Sequence, residues 1–483
     1  MSALTRLFFD PVDSDRQRAA SRYQFTGDRR WWLFPAGVGA ALLLVALVIG
    51  FADLQRFFYA YLVGWVYAVS IAIGALFFVM IQHITKARWS TTIRRIPEML
   101  AANFPILAIL GIPVLIGYHD LYHWSHANLY EILPGGVAGP HYDSIVAGKA
   151  GYFYFPMEAG TFPIFWMLRY VLFFTFWSVL AGKLYKYSVG NDTEPSAENT
   201  IKLRWWSALG IPLSAVAVSF FAYDMLMSLE PHWFSTMWGV YFFAGGWLAS
   251  LCLITFLALL FKRGGMLEHE VTREQIQDMG KFMFAFVVFW TYIAFSQYML
   301  YWYGNLPEET VWFHKRAFEG YGVVGQSLIY FHFVLPFLIL LFRFTKRVYP
   351  ILATMAVWLL VMHWIDLWWV AMPSIIPVDA AEAHAALAPA LDGVQTVLAG
   401  MQEGTAMHGT SDIIAPETAL PDEALFGYLG EHLVPAAFRF VDILCGLGFA
   451  LLLVGLTILR MGRHALTPYN DPYFDDSLRF ENV

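Results

Sequence analysis

The stretch Ser219–Gly245, SFFAYDMLMSLEPHWFSTMWGVYFFAG, predicts the fold of the whole chain. An apolar run, a short polar turn and a second apolar run are typical of two membrane-spanning helices joined at a membrane surface. Pro231 ends the first helix because proline removes a backbone donor, and Trp233 is typical of interface depth. Asp224 lies inside the first apolar run, where a carboxylate is costly, so it is a candidate functional residue. A capped hairpin without any chemistry also explains the turn.

Composition places the rest of the chain in the same class. Its 483 residues are 58% hydrophobic and only 14% charged, and apolar runs of about 20 residues recur along its length. The sequence therefore predicts an all-α polytopic membrane protein with about ten transmembrane helices. The predicted spans are 32–51, 57–82, 99–117, 162–185, 204–227, 234–262, 281–301, 323–343, 350–372 and 438–460. The net charge of −7 comes without a dense basic patch, so nucleic acid is not an expected partner.

Lysine and arginine alternate between the two sides of these spans. The loops 83–98, 186–203, 263–280 and 344–349, with their helix ends, carry 15 of the 30 lysine and arginine residues, whereas the opposite loops carry only Arg56, Lys149, Lys315 and Arg316. By the positive-inside rule these loops and both termini face the cytoplasm. The expected parts are a cytoplasmic arm 1–31, spans 1–9 in 32–372, an outer loop 118–161, an outer acidic insertion 373–437, span 10 at 438–460 and a cytoplasmic tail 461–483. The insertion has no lysine or arginine, which is typical of a solvated face and also suits a basic partner.

A weak internal repeat predicts how the spans are arranged. The second span contains AYLVGWVYAVS and the sixth contains VYFFAGGWLAS, so Tyr61 corresponds to Tyr241 and Ser70 to Ser250. A parallel repeat of this kind predicts two four-helix bundles, spans 2–5 and spans 6–9. Spans 1 and 10 are then the two peripheral helices.

Few ionisable side chains lie inside the predicted spans. They are Arg169, Asp224, His332, His363, Asp366 and Asp442, and Gln297 and Gln326 add polar groups. Most of them fall in the outer half of the bilayer. His332 and His363 lie near the middle of the bilayer. His363 and Asp366 are three residues apart, so they share a helical face and can hydrogen-bond each other. Because chains of carboxylates and imidazoles relay protons at membrane depth, the pattern predicts a proton path through Asp224, His363, Asp366, His332, Arg169 and Gln297. The alternative is an ion-paired clasp between Asp224 and Arg169 that contributes stability only.

Other functions have weaker signals. His119, His123 and His126 could place imidazoles on one helical face as metal ligands, but no carboxylate or cysteine completes the set, so no metal is expected. A haem on His332 and His363 lacks the second histidine pair of a two-haem bundle. A secondary transporter would have helices broken in both halves, whereas Gly111-Ile112-Pro113 and Gly210-Ile211-Pro212 both lie in one half. A purely structural subunit stays open. Cys252 and Cys445 are far apart, so they are expected to be inert thiols.

Three stretches resemble a known family. They are GALFFVMIQHITKARW (Gly74–Trp89), MSLEPHWFSTMWGVYFFAG (Met227–Gly245) and FWTYIAFSQYMLYWYGNLPEET (Phe289–Thr310). Together with LYHWSH in the first outer loop, they resemble the ActF-type membrane subunit of bacterial alternative complex III, a quinol:cytochrome c oxidoreductase. The resemblance covers most of residues 57–350 and is most specific at Asn305–Thr310. ActF belongs to the NrfD/PsrC-like superfamily, whose members have ten spans in two four-helix bundles.

This resemblance implies a role in the respiratory chain of the bacterial inner membrane. The expected partners are a sister NrfD-like membrane subunit (ActC), a periplasmic iron–sulfur subunit, haem c subunits, lipids and, in some assemblies, a terminal oxidase. The haem c and iron–sulfur clusters would belong to those partners, quinol would be the substrate of the complex, and this chain would carry no redox cofactor. It would contribute a proton path and a scaffold. The alternatives are a quinone-binding subunit, a purely structural subunit or a secondary transporter.

Overall fold

The computed structural model describes residues 23–28, 30–134, 136–317, 320–375 and 437–481. Within these residues ten helices are long and apolar enough to cross a membrane, which confirms the predicted class and number of spans. They are α1 (Arg30–Gly50), α2 (Leu54–Ile84), α3 (Arg95–Ile116), α4 (Ile164–Thr193), α5 (Ala197–Leu229), α6 (Trp238–Arg263), α7 (Arg273–Gly304), α8 (Tyr321–Leu341), α9 (Tyr349–Ser374) and α10 (Phe440–Met461). Most of the predicted arm 1–31 and of the acidic insertion 373–437 lies outside the described residues.

The helices alternate in direction, so their connections collect at two faces. The loop face holds 51–53, 117–134, 136–163, 230–237, 305–317 and the helix ends at 375 and 437–439. The tail face holds 85–94, 194–196, 264–272, 342–348 and 462–481. Short elements of the loop face are helices Tyr118–Leu121, Ser144–Gly148, Ala150–Tyr154 and Pro307–Lys315, 3₁₀ turns His123–Ser125 and Ala127–Tyr130, and the antiparallel strands β1 (Ile132–Leu133) and β2 (Val137–Ala138). The tail face adds helices Arg343–Arg347 and Phe474–Leu478.

Helices α2 and α6 cross at the centre of the molecule. Small residues allow the close approach: a Cβ atom on Gly246 would lie 2.8 Å from the Ser70 carbonyl oxygen. A Cβ on Gly74 would lie 2.6 Å from the Ser250 Cβ. Small residues at such crossings let two helix backbones pack directly, which is how helices associate without a hydrophobic driving force. The serine pair of the sequence repeat therefore marks the contact between the two halves.

The other helices surround this pair as two four-helix bundles. In the first half α2 packs on α3 and α5, and α4 packs on α5. In the second half α6 packs on α7 and α9, and α8 lies against α7 and α9. Helices α1 and α10 pack on each other, and α10 also contacts α2, so both are peripheral to the bundles. The arrangement agrees with the repeat seen in the sequence.

Local sequence explains where helices begin, end and bend. Ser196 and Thr272 cap the N-termini of α5 and α7, and Thr272 forms a capping box with Gln275. Helix α5 changes to a 3₁₀ turn at Met227–Leu229 and ends before Pro231, as the stretch Ser219–Gly245 predicts. Helix α8 contains a π-helical segment, Leu328–Val334. Such segments are rare and frequently occur at functional sites.

Candidate functional site

Asp366 is the centre of a buried polar cluster in the membrane-spanning region. It lies on α9, and its side chain accepts a hydrogen bond from the Tyr241 hydroxyl of α6. The indole Nε1 of Trp290 in α7 donates to its other oxygen at 3.2 Å. Asp366 is 1% exposed, and the described residues give it no cationic partner. A buried carboxyl group held only by neutral donors can change protonation without breaking an ion pair.

His363 lies one turn before Asp366 but contacts a different helix. Its Nε2 is 2.9 Å from the Ser70 hydroxyl of α2, and that hydroxyl donates to the Tyr67 carbonyl at 2.8 Å. The serine oxygen is therefore the acceptor, which assigns the ring proton to Nε2 of His363. Nδ1 has no partner among the described residues, so the hydrogen bond expected between His363 and Asp366 is not formed.

His332 completes the cluster from the π-helical segment of α8. Its ring is fully buried and packs against the Trp290 ring at an interplanar angle of 31°, with 4.0 Å between ring centroids. Neither ring nitrogen has a hydrogen-bond partner within the described residues. We call Tyr241, Trp290, His332, His363 and Asp366 the α9 cluster; it brings together three of the six predicted path residues.

Asp224 and Arg169 form a separate ion pair in the first bundle. Arg169 Nε and Nη2 donate to the two carboxylate oxygens of Asp224, each at 2.8 Å. Arg169 also donates to the Tyr152 carbonyl at 2.6 Å and lies over the Tyr152 ring. This bidentate geometry matches the predicted clasp. Gln297 lies elsewhere, where its Oε1 accepts from the Ser235 hydroxyl at 2.9 Å.

A second clasp joins α2 to α10. Arg56 makes a bidentate ion pair with Asp442, and both side chains are buried. The Trp368 indole also donates to Asp442 at 3.1 Å. Asp442 was noticed in the sequence as an ionisable residue inside a span. Its partner, 386 residues away, carries no local signal of the pairing.

The loop face holds a cation-rich cluster that the sequence analysis missed. Both oxygens of Glu230 accept from Lys315 Nζ at 3.0 Å. Arg316 beside them is 2% exposed and stacks on Trp312, with 3.5 Å from Cζ to the ring centroid. Burial acts to raise the pKa of Glu230, but the charges of Lys315 and Arg316 outweigh it, so this pKa lies below its ordinary value. The carboxylate is therefore ionised at neutral pH.

The loop histidines are close together but do not form a metal site. The ring centroids of His119 and His126 are 6.0 Å apart, and those of His123 and His126 are 5.9 Å apart. They lie on a short helix and the 3₁₀ turns after it rather than on one helical face. His232 instead pairs with Asp143 at 2.5 Å, and the described residues contain no group of three or more His, Cys, Asp or Glu that could hold a metal ion.

The tail face contains a buried ionic network that was also missed. Arg95 pairs with Asp192 at 2.6 Å, and Glu98 lies beside both Arg94 and Arg95. Asp471 of the C-terminal segment pairs with Arg94. The segment 462–481 is therefore fixed to the membrane domain by a buried charge, although the sequence suggested only a cytoplasmic tail.

No protein-family model matches the chain, and no curated protein matches it. The alternative complex III resemblance therefore rests on the motifs alone. The cluster residues Tyr241 and Trp290 lie in two of those stretches. The one signal that could have selected Tyr241 in advance is the repeat, which pairs it with Tyr61. The Tyr61 hydroxyl donates to the Leu110 carbonyl instead, so the two halves use the same position differently.

Proposed function

We propose that this chain is a proton-relaying membrane subunit of a quinol:cytochrome c oxidoreductase of the alternative complex III type. The observation that carries the proton-relay part is the α9 cluster. Among the described residues, a carboxyl group with only neutral donors lies within one buried group with two imidazoles, each with at least one unpartnered ring nitrogen. Carboxylates and histidines at membrane depth are typical of proton relays.

The relay is centred on Asp366 rather than on Asp224. A proton added to Asp224 would have to displace the bidentate hydrogen bonds from Arg169, whereas Asp366 has no such competitor among the described residues. The α9 cluster therefore has the chemistry to accept and release protons, and Arg169–Asp224 has the geometry of a structural clasp.

The assignment to a respiratory complex rests on the motif resemblance. The proposed partners are a sister NrfD-like subunit, an iron–sulfur subunit and haem c subunits on the loop face, and the proposed location is the bacterial inner membrane with both termini in the cytoplasm. The haem and iron–sulfur cofactors are proposed to lie in those partners. Ten spans in two four-helix bundles support this proposal, because that is the architecture the resemblance implies.

A purely structural subunit is the second candidate. The observation in its favour is the pair of buried clasps, Arg169–Asp224 and Arg56–Asp442, which tie helices together through paired charges. Under this alternative the α9 cluster is a set of interhelical hydrogen bonds.

Matched substitutions of the two aspartates distinguish these functions. The complex would be purified through a tag on this chain and placed in liposomes with quinol, cytochrome c and a pH indicator. Asp366→Asn should assemble and oxidise quinol, while proton release per electron falls toward the value expected when the relay contributes nothing. Asp224→Asn should lower the yield of assembled complex, because breaking a buried ion pair costs about 3–5 kcal/mol. Unchanged proton release in Asp366→Asn would reject the relay and favour the structural role.

A further inference from the structure

The cation-rich cluster lies at the loop-face end of α9, the helix that carries Asp366. Its ionised side chains are Glu230, Lys315 and Arg316, two cations for one carboxylate. The three residues therefore carry a net charge of about +1 at neutral pH. A net charge held inside protein acts over several ångströms because solvent screens it weakly.

Arg316 keeps its charge although it is buried. Burial lowers its pKa to about 9, and the negative charge of Glu230 opposes that shift. Its guanidinium donates to the Trp312 carbonyl at 2.9 Å and to the Val370 carbonyl, while Nε has no partner within the described residues. The group is therefore cationic at neutral pH and fixed in one orientation.

Arg316 is also positioned between Asp366 and the loop face. Val370, its carbonyl partner, is four residues beyond Asp366 on α9, about one helical turn nearer the loop face. Tyr241 is the direct donor to Asp366. A proton moving between Asp366 and the loop face would thus pass the field of this guanidinium.

We propose that Arg316 is an electrostatic barrier between the α9 cluster and the loop face, and that Glu230 sets the height of this barrier. Fixed arginine charges exclude protons and cations from membrane pathways in this way. At rest the fixed guanidinium charge of Arg316 repels a proton and limits leakage through Asp366. Neutralisation of Glu230 would raise the barrier, and approach of an anionic group to Arg316 would lower it. The inference rests on the proposed proton relay and names a positioning residue for it.

Passive proton flux tests the barrier without any redox turnover. The full-length chain would be placed in liposomes, and a potassium diffusion potential would drive protons into vesicles that contain a pH-sensitive dye. Arg316→Gln should raise the flux about tenfold, which corresponds to a barrier lower by roughly 1.4 kcal/mol. Arg316→Lys keeps the charge, so its flux should stay near that of the unmodified protein. No rise in Arg316→Gln, or an equal rise in Arg316→Lys, would overturn the proposal.

Three further variants separate charge from damaged packing. Glu230→Gln changes the net charge in the opposite direction, so it should not raise the flux, whereas a loosened loop face would leak in both variants. The double variant Arg316→Gln with Asp366→Asn should lose the extra flux, and a leak that persists would show a path that avoids the α9 cluster and overturn the proposal. If Arg316→Gln does not fold, Lys315→Gln lowers the net charge at a partly exposed site and should give a smaller rise that also requires Asp366.

These outcomes are distinct from failure of the proposed function. That function is tested by proton release during quinol oxidation, whereas the barrier is tested by leakage without substrate. An Asp366-dependent leak in Arg316→Gln together with normal turnover-linked release in Asp366→Asn would reject the relay role but keep the barrier. Absence of an Asp366-dependent leak in Arg316→Gln, together with lowered turnover-linked release in Asp366→Asn, would keep the relay and reject the barrier.

Discussion

Asp224 and Asp366 are both buried carboxylates on the last helix of their bundle, yet their neighbours differ in charge. Asp224 faces the guanidinium of Arg169, whereas Asp366 faces a phenol and an indole. A bidentate guanidinium fixes the ionised form of a carboxylate and contributes geometric specificity. Neutral donors leave both protonation states available. The role of each aspartate therefore depends on a partner side chain rather than on residue type or depth.

Substitutions of His332 test what its buried imidazole contributes to stability. His332→Phe should change the free energy of unfolding by less than about 1 kcal/mol, because the phenyl ring keeps the contact with Trp290 and removes two buried nitrogens that have no hydrogen-bond partner among the described residues. His332→Ala should cost about 3 kcal/mol through the cavity it leaves. Thermal unfolding of both variants in one detergent measures the difference. Equal losses would mean that the imidazole nitrogens stabilise the fold. Proton release should fall in both variants if His332 belongs to the relay.

The helices themselves show which contacts organise the bundle. Helix α2 is buried along its entire apolar stretch, and α6 is buried along most of its own. Helices α1, α7 and α8 are largely exposed on the outside of the molecule. The α2–α6 crossing requires small residues, because each backbone lies against the other helix. The exposed helices accept substitution of one apolar residue by another, since their outer faces contact no other part of the described chain.

Glycine substitutions test the importance of this crossing. Gly246→Ala would place a Cβ 2.8 Å from the Ser70 carbonyl oxygen, so it should destabilise the protein by about 1–3 kcal/mol through overpacking. Gly182→Ala on α4 is the matched control, because nothing lies within 4 Å of its Cβ position. That control should gain up to about 1 kcal/mol from helix propensity. Melting temperatures that shift equally in both variants would contradict the close α2–α6 contact.

At the scale of the whole molecule, the two faces have different chemistry. The loop face carries the aromatic and histidine-rich segment 118–163 and the cation-rich cluster. On the tail face, the C-terminal segment 462–481 covers the ionic network of Arg94, Arg95, Glu98 and Asp192. Ser477 connects this segment to Thr92 and Gln275 by hydrogen bonds. Both the chain end and the basic loops belong to one face, which is the expected cytoplasmic side.

Cysteine labelling tests this orientation. Asn128→Cys on the loop face and His269→Cys on the tail face both introduce a thiol at an exposed position. In intact bacterial cells with a permeable outer membrane, an impermeant maleimide should modify the first and reach the second only after the inner membrane is opened. The unmodified protein is the control, since Cys252 and Cys445 are buried. The opposite labelling pattern would reverse the assignment of both faces.

The sequence by itself predicted the ten spans, the hairpin at Pro231 and the two-bundle arrangement. These features depend on local hydropathy, on helix-breaking residues and on a repeat, all of which are readable along the chain. It also selected Asp224, Arg169, His332, His363 and Asp366, because ionisable residues inside apolar runs are few. The sequence placed all of these residues on one proton path.

Only the tertiary structure decided which of these residues share a site. Asp366 meets Tyr241 and Trp290 across 125 and 76 residues of sequence, and such pairings leave no local pattern. Arg316 follows a short surface helix and reads as a loop cation, yet its side chain is buried against α9. Hydropathy predicts that a helix is in the membrane, but the rotation and packing of helices determine which side chains face each other. The choice between clasp, relay and barrier therefore depends on contacts between distant segments.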